Sequence, residues 1–249
     1  MPSRSKKSTQ SKSVWRLHTR VKKNTVHESI QRLHEKDLNL LELKEPDKVY
    51  LFIKRVIDIT GSLLGLIILS PILLAVAICI KVLSDGPVFY IEKRIGYKAK
   101  PFNFIKFRTM VSNAHILKSN LSFANEMSGP FFKVKEDPRV TDFGRFLRKY
   151  SIDELPQLFN VLAGDMTLVG PRPCQISEYE CLNKWQKKAK SAMKPGITCI
   201  WQVSGRNLIS NHDEWMKLDI EYVQKASLWT DIKLLLKTAP AVLSGIGAS

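Results

Sequence analysis

The longest apolar stretch in the chain runs from Ile59 to Ile80, 22 residues without a charge between Asp58 and Lys81. As one helix it would measure about 33 Å, enough to cross a bilayer core. Ser70-Pro71 lies near its middle, and proline removes a backbone hydrogen bond and crowds the preceding turn. Divided there, the halves of roughly 18 Å and 15 Å are each too short to span. Taken alone, the segment favours a kinked span, because membrane helices tolerate proline. A helix that enters, breaks at Ser70-Pro71 and returns is the alternative.

Elsewhere the periods are shorter. Ile30, Leu33, Leu38 and Leu41, set among alternating charges, predict a short surface helix within 28–48. Pro87–Arg94 and Phe102–Arg108 predict a β-hairpin around a Gly96–Pro101 turn. Residues 109–120 are weakly helical and 121–135 read as a loop. Asp142–Tyr150 predicts a short basic helix. Ser151 and Glu154 have the S-x-x-E spacing of a capping box, which would open a helix ending at Gly164. Thr167–Val169 reads as a strand, 175–192 and 211–225 as helices, and 197–206 as extended. Leu228, Trp229, Ile232, Leu235, Leu236, Ala239 and Leu243 follow helical spacing. Core packing and a place on a membrane surface explain that stripe equally well. The sum is an α+β chain, mostly helical, with one membrane-length segment.

Charge changes the reading of that segment. The chain of 249 residues has a formal net charge of +16. Up to Arg55 there are 14 Lys and Arg against 6 Asp and Glu, and from Lys81 onward 25 against 16. Lysine and arginine beside an apolar segment favour the cytoplasmic side. A single crossing would export one of the two basic flanks; a re-entrant helix keeps both inside. Residues 1–27 hold eight Lys and Arg and no acid, which predicts a segment without packed structure. It is either a solvated leader or a contact for anionic lipid headgroups. Nucleic acid is the weakest partner for so basic a chain, since no nucleic-acid motif occurs and the apolar run would go unexplained. The four cysteines, Cys79, Cys174, Cys181 and Cys199, lack CxxC or Cys/His spacing and read as reduced thiols of a cytoplasmic compartment. More than 50 residues precede the apolar run, too many for a signal peptide.

Candidate chemistry gathers in RFLRKYSIDELPQLFNVLAGDMTLVGPRP, residues 145–173. The adjacent carboxylates Asp153 and Glu154 lie between basic Arg145, Arg148 and Lys149 and a rigid Pro171-Arg172-Pro173. One acid of such a pair can attack phosphorus or hold a metal, while arginines neutralise phosphate oxygens. Lys106 and Arg108, with Arg145 and Arg148, are candidates for a diphosphate, against the ordinary alternative of a solvated basic face. Gln202 and Arg206 could complete the pocket. Asp165 and Asp219 read as supporting or structural residues. The five histidines form no metal constellation.

Seven segments in series are identified by resemblance. KRVIDITGSLLGLIILSPILLAVAICIK, GPVFY, KFRTM, DPRVTDFGRFLRKYSIDELPQLFNVLAGDMTLVGPRP, KPGIT, WQVSGR and the SLW-D-K-LLKT ending resemble the bacterial sugar transferases. These are monotopic polyprenyl-phosphate phosphoglycosyl transferases, and the resemblance covers about residues 51–249. It implies a basic leader (1–50), a re-entrant membrane helix (51–82) and a catalytic domain (83–249) with amphipathic interfacial helices on the cytoplasmic face of a bacterial inner membrane. It implies transfer of a sugar 1-phosphate from a nucleoside diphosphate sugar, usually UDP-linked, to polyprenyl phosphate such as undecaprenyl phosphate. UMP leaves, and Mg2+ is required. Asp153 then corresponds to the nucleophile and metal ligand, Glu154 to its catalytic neighbour, and Arg172 to a residue near the nucleotide. Relatives often carry four membrane helices and an extra domain ahead of this unit, so the chain resembles the catalytic unit alone. Two positions depart from the pattern: Cys199 follows KPGIT where glycine is usual, and Ala99 replaces a frequent glycine in the hairpin turn. The rival expectations are a glycosyltransferase extending a lipid-linked sugar and a non-catalytic membrane assembly protein. A homo-oligomer is compatible with the sequence.

Overall fold

In the computed structural model, the described residues are 43, 46–117, 121, 134, 136–203 and 212–244. The basic leader, most of the short helix expected within 28–48, and Arg206 lie outside them. The longest element is α1, Lys48–Leu83. The Asp47 side chain caps its start by accepting from the Val49 N–H at 3.0 Å. Its end is marked by extended Ser84, with Lys81 in the last turn. It is long and apolar enough to cross a membrane, and its middle is little covered by the rest of the protein: Ile68 is 70% exposed.

Pro71 does not end this helix. Proline has no N–H for the carbonyl four residues back, that of Ile67. The Ser70 hydroxyl donates to that same oxygen at 2.8 Å, so the dipeptide replaces the bond it deletes. Residues on both sides of Pro71 pack on one globular body. Before it, Asp58 accepts from the Thr167 hydroxyl at 2.7 Å and the Leu168 N–H at 2.9 Å. After it, Val76 and Ile80 share a core cluster with Phe107 and Leu147.

The hairpin forms as expected from β1, Phe89–Ile95, and β2, Pro101–Phe107, paired antiparallel with Phe89 opposite Phe107 and Ile95 opposite Pro101. Of 109–120, Ala114–Leu117 is helical (α2). The basic helix is α3, Asp142–Lys149, capped by Thr141. Gly144 lets it approach β2's exit closely, for an added Cβ would stand 2.1 Å from the Thr109 carbonyl oxygen.

The capping box is a correction. Ser151 has φ 53° and makes no side-chain cap bond, while Ile152–Glu154 forms a 3-10 turn. Leu155-Pro156 then leads into α4, Gln157–Ala163, so the turn and the helix are separate elements. As expected, α4 ends on left-handed Gly164. β3, Thr167–Val169, follows, then β4, Cys174–Gln175, which joins β1. The helix expected over 175–192 is two: α5, Ile176–Cys181, and α6, Lys184–Ser191. Each opens with its own capping box, Gln175–Glu178 and Asn183–Gln186, and these local bonds outweigh continuation. The extended segment shortens to β5, Gly196–Thr198, paired parallel to β3, and gives way to α7, Ile200–Val203. α8, His212–Gln224, and α9, Leu228–Ser244, complete the fold. α9 divides its apolar stripe: Leu228 and Leu235 pack against the core of Tyr50, Tyr222 and Leu234, a residue outside the expected stripe, while Trp229, Ile232 and Leu236 are exposed. Among the described residues, helices with two small sheets give a mostly helical architecture compatible with α+β.

Candidate active site

The 3-10 turn carrying Asp153 and Glu154 sits between β2 and α3, and the following α4 fixes its height. Asn160 on α4 docks on the free edge of β2 as a strand would. Its side-chain oxygen accepts from the Ile105 N–H at 3.1 Å and its amide donates to the Asn103 carbonyl at 2.7 Å. Arg55 on α1 holds the other end of α4, donating to the Val161 and Leu162 carbonyls at 2.7 and 2.9 Å. The membrane-length helix thus bears on α4, the element that follows the turn presenting the carboxylates.

Asp153 is buried, at 7% exposure. Burial and the neighbouring Glu154 push its pKa up to about 6, while Lys106 and Arg148 pull it down. The same burial lowers Lys106 to about 8, opposed by the attraction of Asp153. It also lowers Arg148, which donates through Nε to the Thr109 hydroxyl at 3.0 Å. Among the described residues no side chain hydrogen-bonds the Asp153 carboxylate, which accepts only from its own backbone N–H. It is a buried anion in a cationic field, left with free lone pairs.

Glu154 faces a second group. Its Oε1 lies 3.9 Å from Arg172 Nη1, and its Oε2 accepts from Gln202 at 3.4 Å. The Arg172 guanidinium carbon is 4.9 Å from the Trp201 ring, whose other neighbour is the stacked Trp215. Pro171 and Pro173 are buried on either side. Cys199, the departure after KPGIT, donates its thiol to Gln202 at 3.2 Å, and Ala99 takes a left-handed φ of 59° in the hairpin turn.

Two expected site residues stand apart. The Arg108 guanidinium is committed to the end of α1: Nη2 donates to the Ser84 carbonyl and hydroxyl at 2.7 and 2.6 Å, and Nη1 to the Asp85 carbonyl. Arg145 is exposed and pairs with Asp142 on its own helix. Sequence reading passed over Arg94, which stacks on Phe104 at 4.1 Å and donates to the Pro173 carbonyl at 3.2 Å. It also passed over Trp201, Lys190 and Gln157. Gln157 is 2% exposed one turn beyond Asp153, with its amide nitrogen unpartnered among the described residues. The DELPQ run hinted at Gln157 and WQVSGR contains Trp201, while Arg94 and Lys190 had no local signal.

A family model described as bacterial sugar transferase matches residues 49–245. The chain belongs to that family. This transferase is 46% identical over 200 residues to "Galactosyl transferase CpsE" of Streptococcus agalactiae, covering 80% of this chain and 44% of that protein. It is 46% identical over 202 residues to "Undecaprenyl-phosphate galactose phosphotransferase" of Salmonella typhimurium, covering 79% and 42%. Against "Exopolysaccharide production protein ExoY" of Sinorhizobium fredii it is 40% identical over 200 residues, covering 78% and 87%. The transferase therefore spans less than half the length of the first two relatives.

Among the described residues no three His, Cys, Asp or Glu side chains are grouped to enclose a metal. Mg2+ does not require such a cage, being commonly held by one or two carboxylates together with water and substrate phosphates. Adjacent Asp153 and Glu154, with unfilled lone pairs on Asp153, fit that donor set.

Proposed function

We propose that this transferase moves a sugar 1-phosphate from a UDP-sugar to undecaprenyl phosphate at the cytoplasmic face of a bacterial inner membrane, as the first step of exopolysaccharide, capsule or O-antigen assembly. The observation that carries the reading is the buried Asp153 carboxylate, which no described side chain hydrogen-bonds, facing Lys106 and Arg148 at the foot of a membrane-length helix. The name of the Salmonella relative supports the lipid phosphate and the phosphotransfer.

In this mechanism an Asp153 oxygen attacks the phosphorus that bears the sugar. The bond from that phosphorus to the bridging oxygen breaks, and UMP leaves with the electron pair. The acyl phosphate left on Asp153 is then attacked by an oxygen of undecaprenyl phosphate, forming the lipid diphosphate sugar and freeing the carboxylate. Lys106 and Arg148 offset charge around the nucleophile, and Arg172, with Gln202 and Arg206, contacts the diphosphate or nucleotide. Glu154 orients Arg172 and Gln202. Asp153, with Glu154 beside it, would hold Mg2+, which when bound neutralises diphosphate oxygens. Arg108 serves by fixing the end of α1 beside β2.

For topology the same proposal takes α1 as re-entrant about Ser70-Pro71, with residues 1–50 as a leader and 83–249 as the catalytic domain. Two basic flanks and the packing of both limbs of α1 on one body support it. Replacing Pro71 by Leu should favour a true span. Cysteines placed at positions 20 and 237 should both be labelled from the cytoplasm in the wild-type background; periplasmic labelling at position 20 would sink the re-entrant reading.

The reaction is tested by incubating membranes with a panel of UDP-sugars and undecaprenyl phosphate and identifying the nucleotide released. UMP, with a sugar-phosphate adduct in intact-protein mass spectra when lipid is omitted, is the expected result. UDP as product would overturn it in favour of a glycosyltransferase.

A further inference from the structure

The Pro171-Arg172-Pro173 turn is gripped from several sides by groups distant in sequence. Asp219 on α8 is 1% exposed, Lys190 on α6 is 8% exposed, and the two form an ion pair. Neither charge is spent on its partner alone. Lys190 also donates to the Arg172 carbonyl at 3.1 Å, and the Arg172 N–H donates to Asp219 Oδ1 at 3.4 Å. Arg94 takes the Pro173 carbonyl, and the Gly196 N–H donates to the Pro171 carbonyl at 2.9 Å. All three carbonyls of the turn, and its one N–H, are thereby held.

Stability is a poor explanation for the central pair. Removing two charges from water costs several kcal/mol per ion, and apolar replacement of such pairs is often neutral or stabilising. Burial works against the Lys190 charge, yet Asp219 holds it above the usual lysine range, so the ammonium is retained. What the pair does supply is a fixed backbone for a long, flexible side chain. From that backbone Arg172 reaches over Trp201 and toward Glu154. An arginine already held in place loses less conformational freedom when it engages an anion.

We infer that Lys190 and Asp219 are positioning residues, a buried ion-pair clamp that sets Arg172 for the diphosphate of the donor. The inference rests on the reading of Arg172 as a donor contact. It concerns neither the nucleophile nor the metal, and it gives Asp219 a role through Arg172.

The test uses the full chain in detergent, with UDP as the probe in a Mg2+ buffer. The paired variant Lys190→Met/Asp219→Leu removes both charges, so neither is left buried alone. It should keep Tm within a few degrees of wild type and raise the Kd for UDP about tenfold, the scale of one lost hydrogen bond to a charged group. Arg172→Ala should raise Kd similarly, and the triple variant should bind no worse than Arg172→Ala, because the clamp acts only through that side chain. A triple variant showing the product of the separate losses overturns the clamp while leaving Arg172 as a donor contact. Wild-type UDP affinity in the paired variant, or loss of Tm in parallel with binding, overturns it as well. Wild-type affinity in Arg172→Ala overturns the donor-contact reading itself, and the clamp with it.

Discussion

Asp153 and Asp231 are buried to the same degree, 7% and 6% exposed, and are treated in opposite ways. Asp231, on α9, is saturated: Lys54 of α1 reaches it at 2.6 Å, Tyr222 at 2.7 Å and Tyr50 at 3.0 Å. Asp153 has cations near it and, among the described residues, no side-chain donor upon it. A satisfied carboxylate has no lone pair to offer and serves to bolt the membrane-length helix to the rest of the fold. A carboxylate buried without side-chain donors is destabilised as an anion, and that unused capacity is what a nucleophile or a metal ligand requires.

The contrast is broken most sharply at Asp153. Asp153→Asn keeps the shape and removes the anion, so UMP release should fall by about three orders of magnitude or more. The adduct in intact-protein mass spectra should vanish with it. An adduct persisting in the Asn variant would falsify the assignment. Asp231→Ala should act in the other currency. It leaves the Lys54 ammonium buried with no anion, at a cost of about 3–5 kcal/mol, read as a lowered denaturation midpoint in detergent. A loss below about 1 kcal/mol would mean the network is not what anchors α1.

A third prediction turns on pH. The Asp153 pKa is raised from 3.8 to about 6, so the folded chain binds this proton more tightly than the unfolded one. Stability should therefore fall as pH rises from about 4 to 6, the penalty being complete above that window. Asp153→Asn escapes it and should be more stable than wild type by about 1–3 kcal/mol at pH 7, but equal near pH 3.5. Thermal scans at the two pH values measure the difference; a less stable Asn variant at pH 7 would show that Asp153 is satisfied after all. The smallest effect is expected at Arg145, whose exposed pair with Asp142 is worth about 0–1 kcal/mol. Arg145→Gln should change kcat/KM by less than about twofold, whereas a large loss would return it to the donor site.

Sequence periodicity carried most of the local structure. The hairpin, the strand at Thr167–Val169, the basic helix before Ser151 and the stop at Gly164 are all written in short-range patterns of apolar spacing and turn residues. It misled at Ser151, where left-handed backbone replaces a cap that spacing alone allows. Within 175–192 it missed two nearby caps that competed for one helix.

By itself the sequence determined that this chain carries a membrane-length apolar helix, a basic balance, an adjacent carboxylate pair and the motifs of one family. Those are properties of composition and order, readable without distances. Only tertiary structure decided which charges work together. Lys106, Arg148 and Asp153 come from a strand, a helix and a turn; Lys190 and Asp219 meet at Arg172 from two further helices. It also separated Arg108, fastened to the end of α1, from Lys106 and Arg148, with which the sequence had grouped it for a diphosphate. Electrostatic coupling and desolvation depend on separation and burial in space, and local sequence spacing encodes neither.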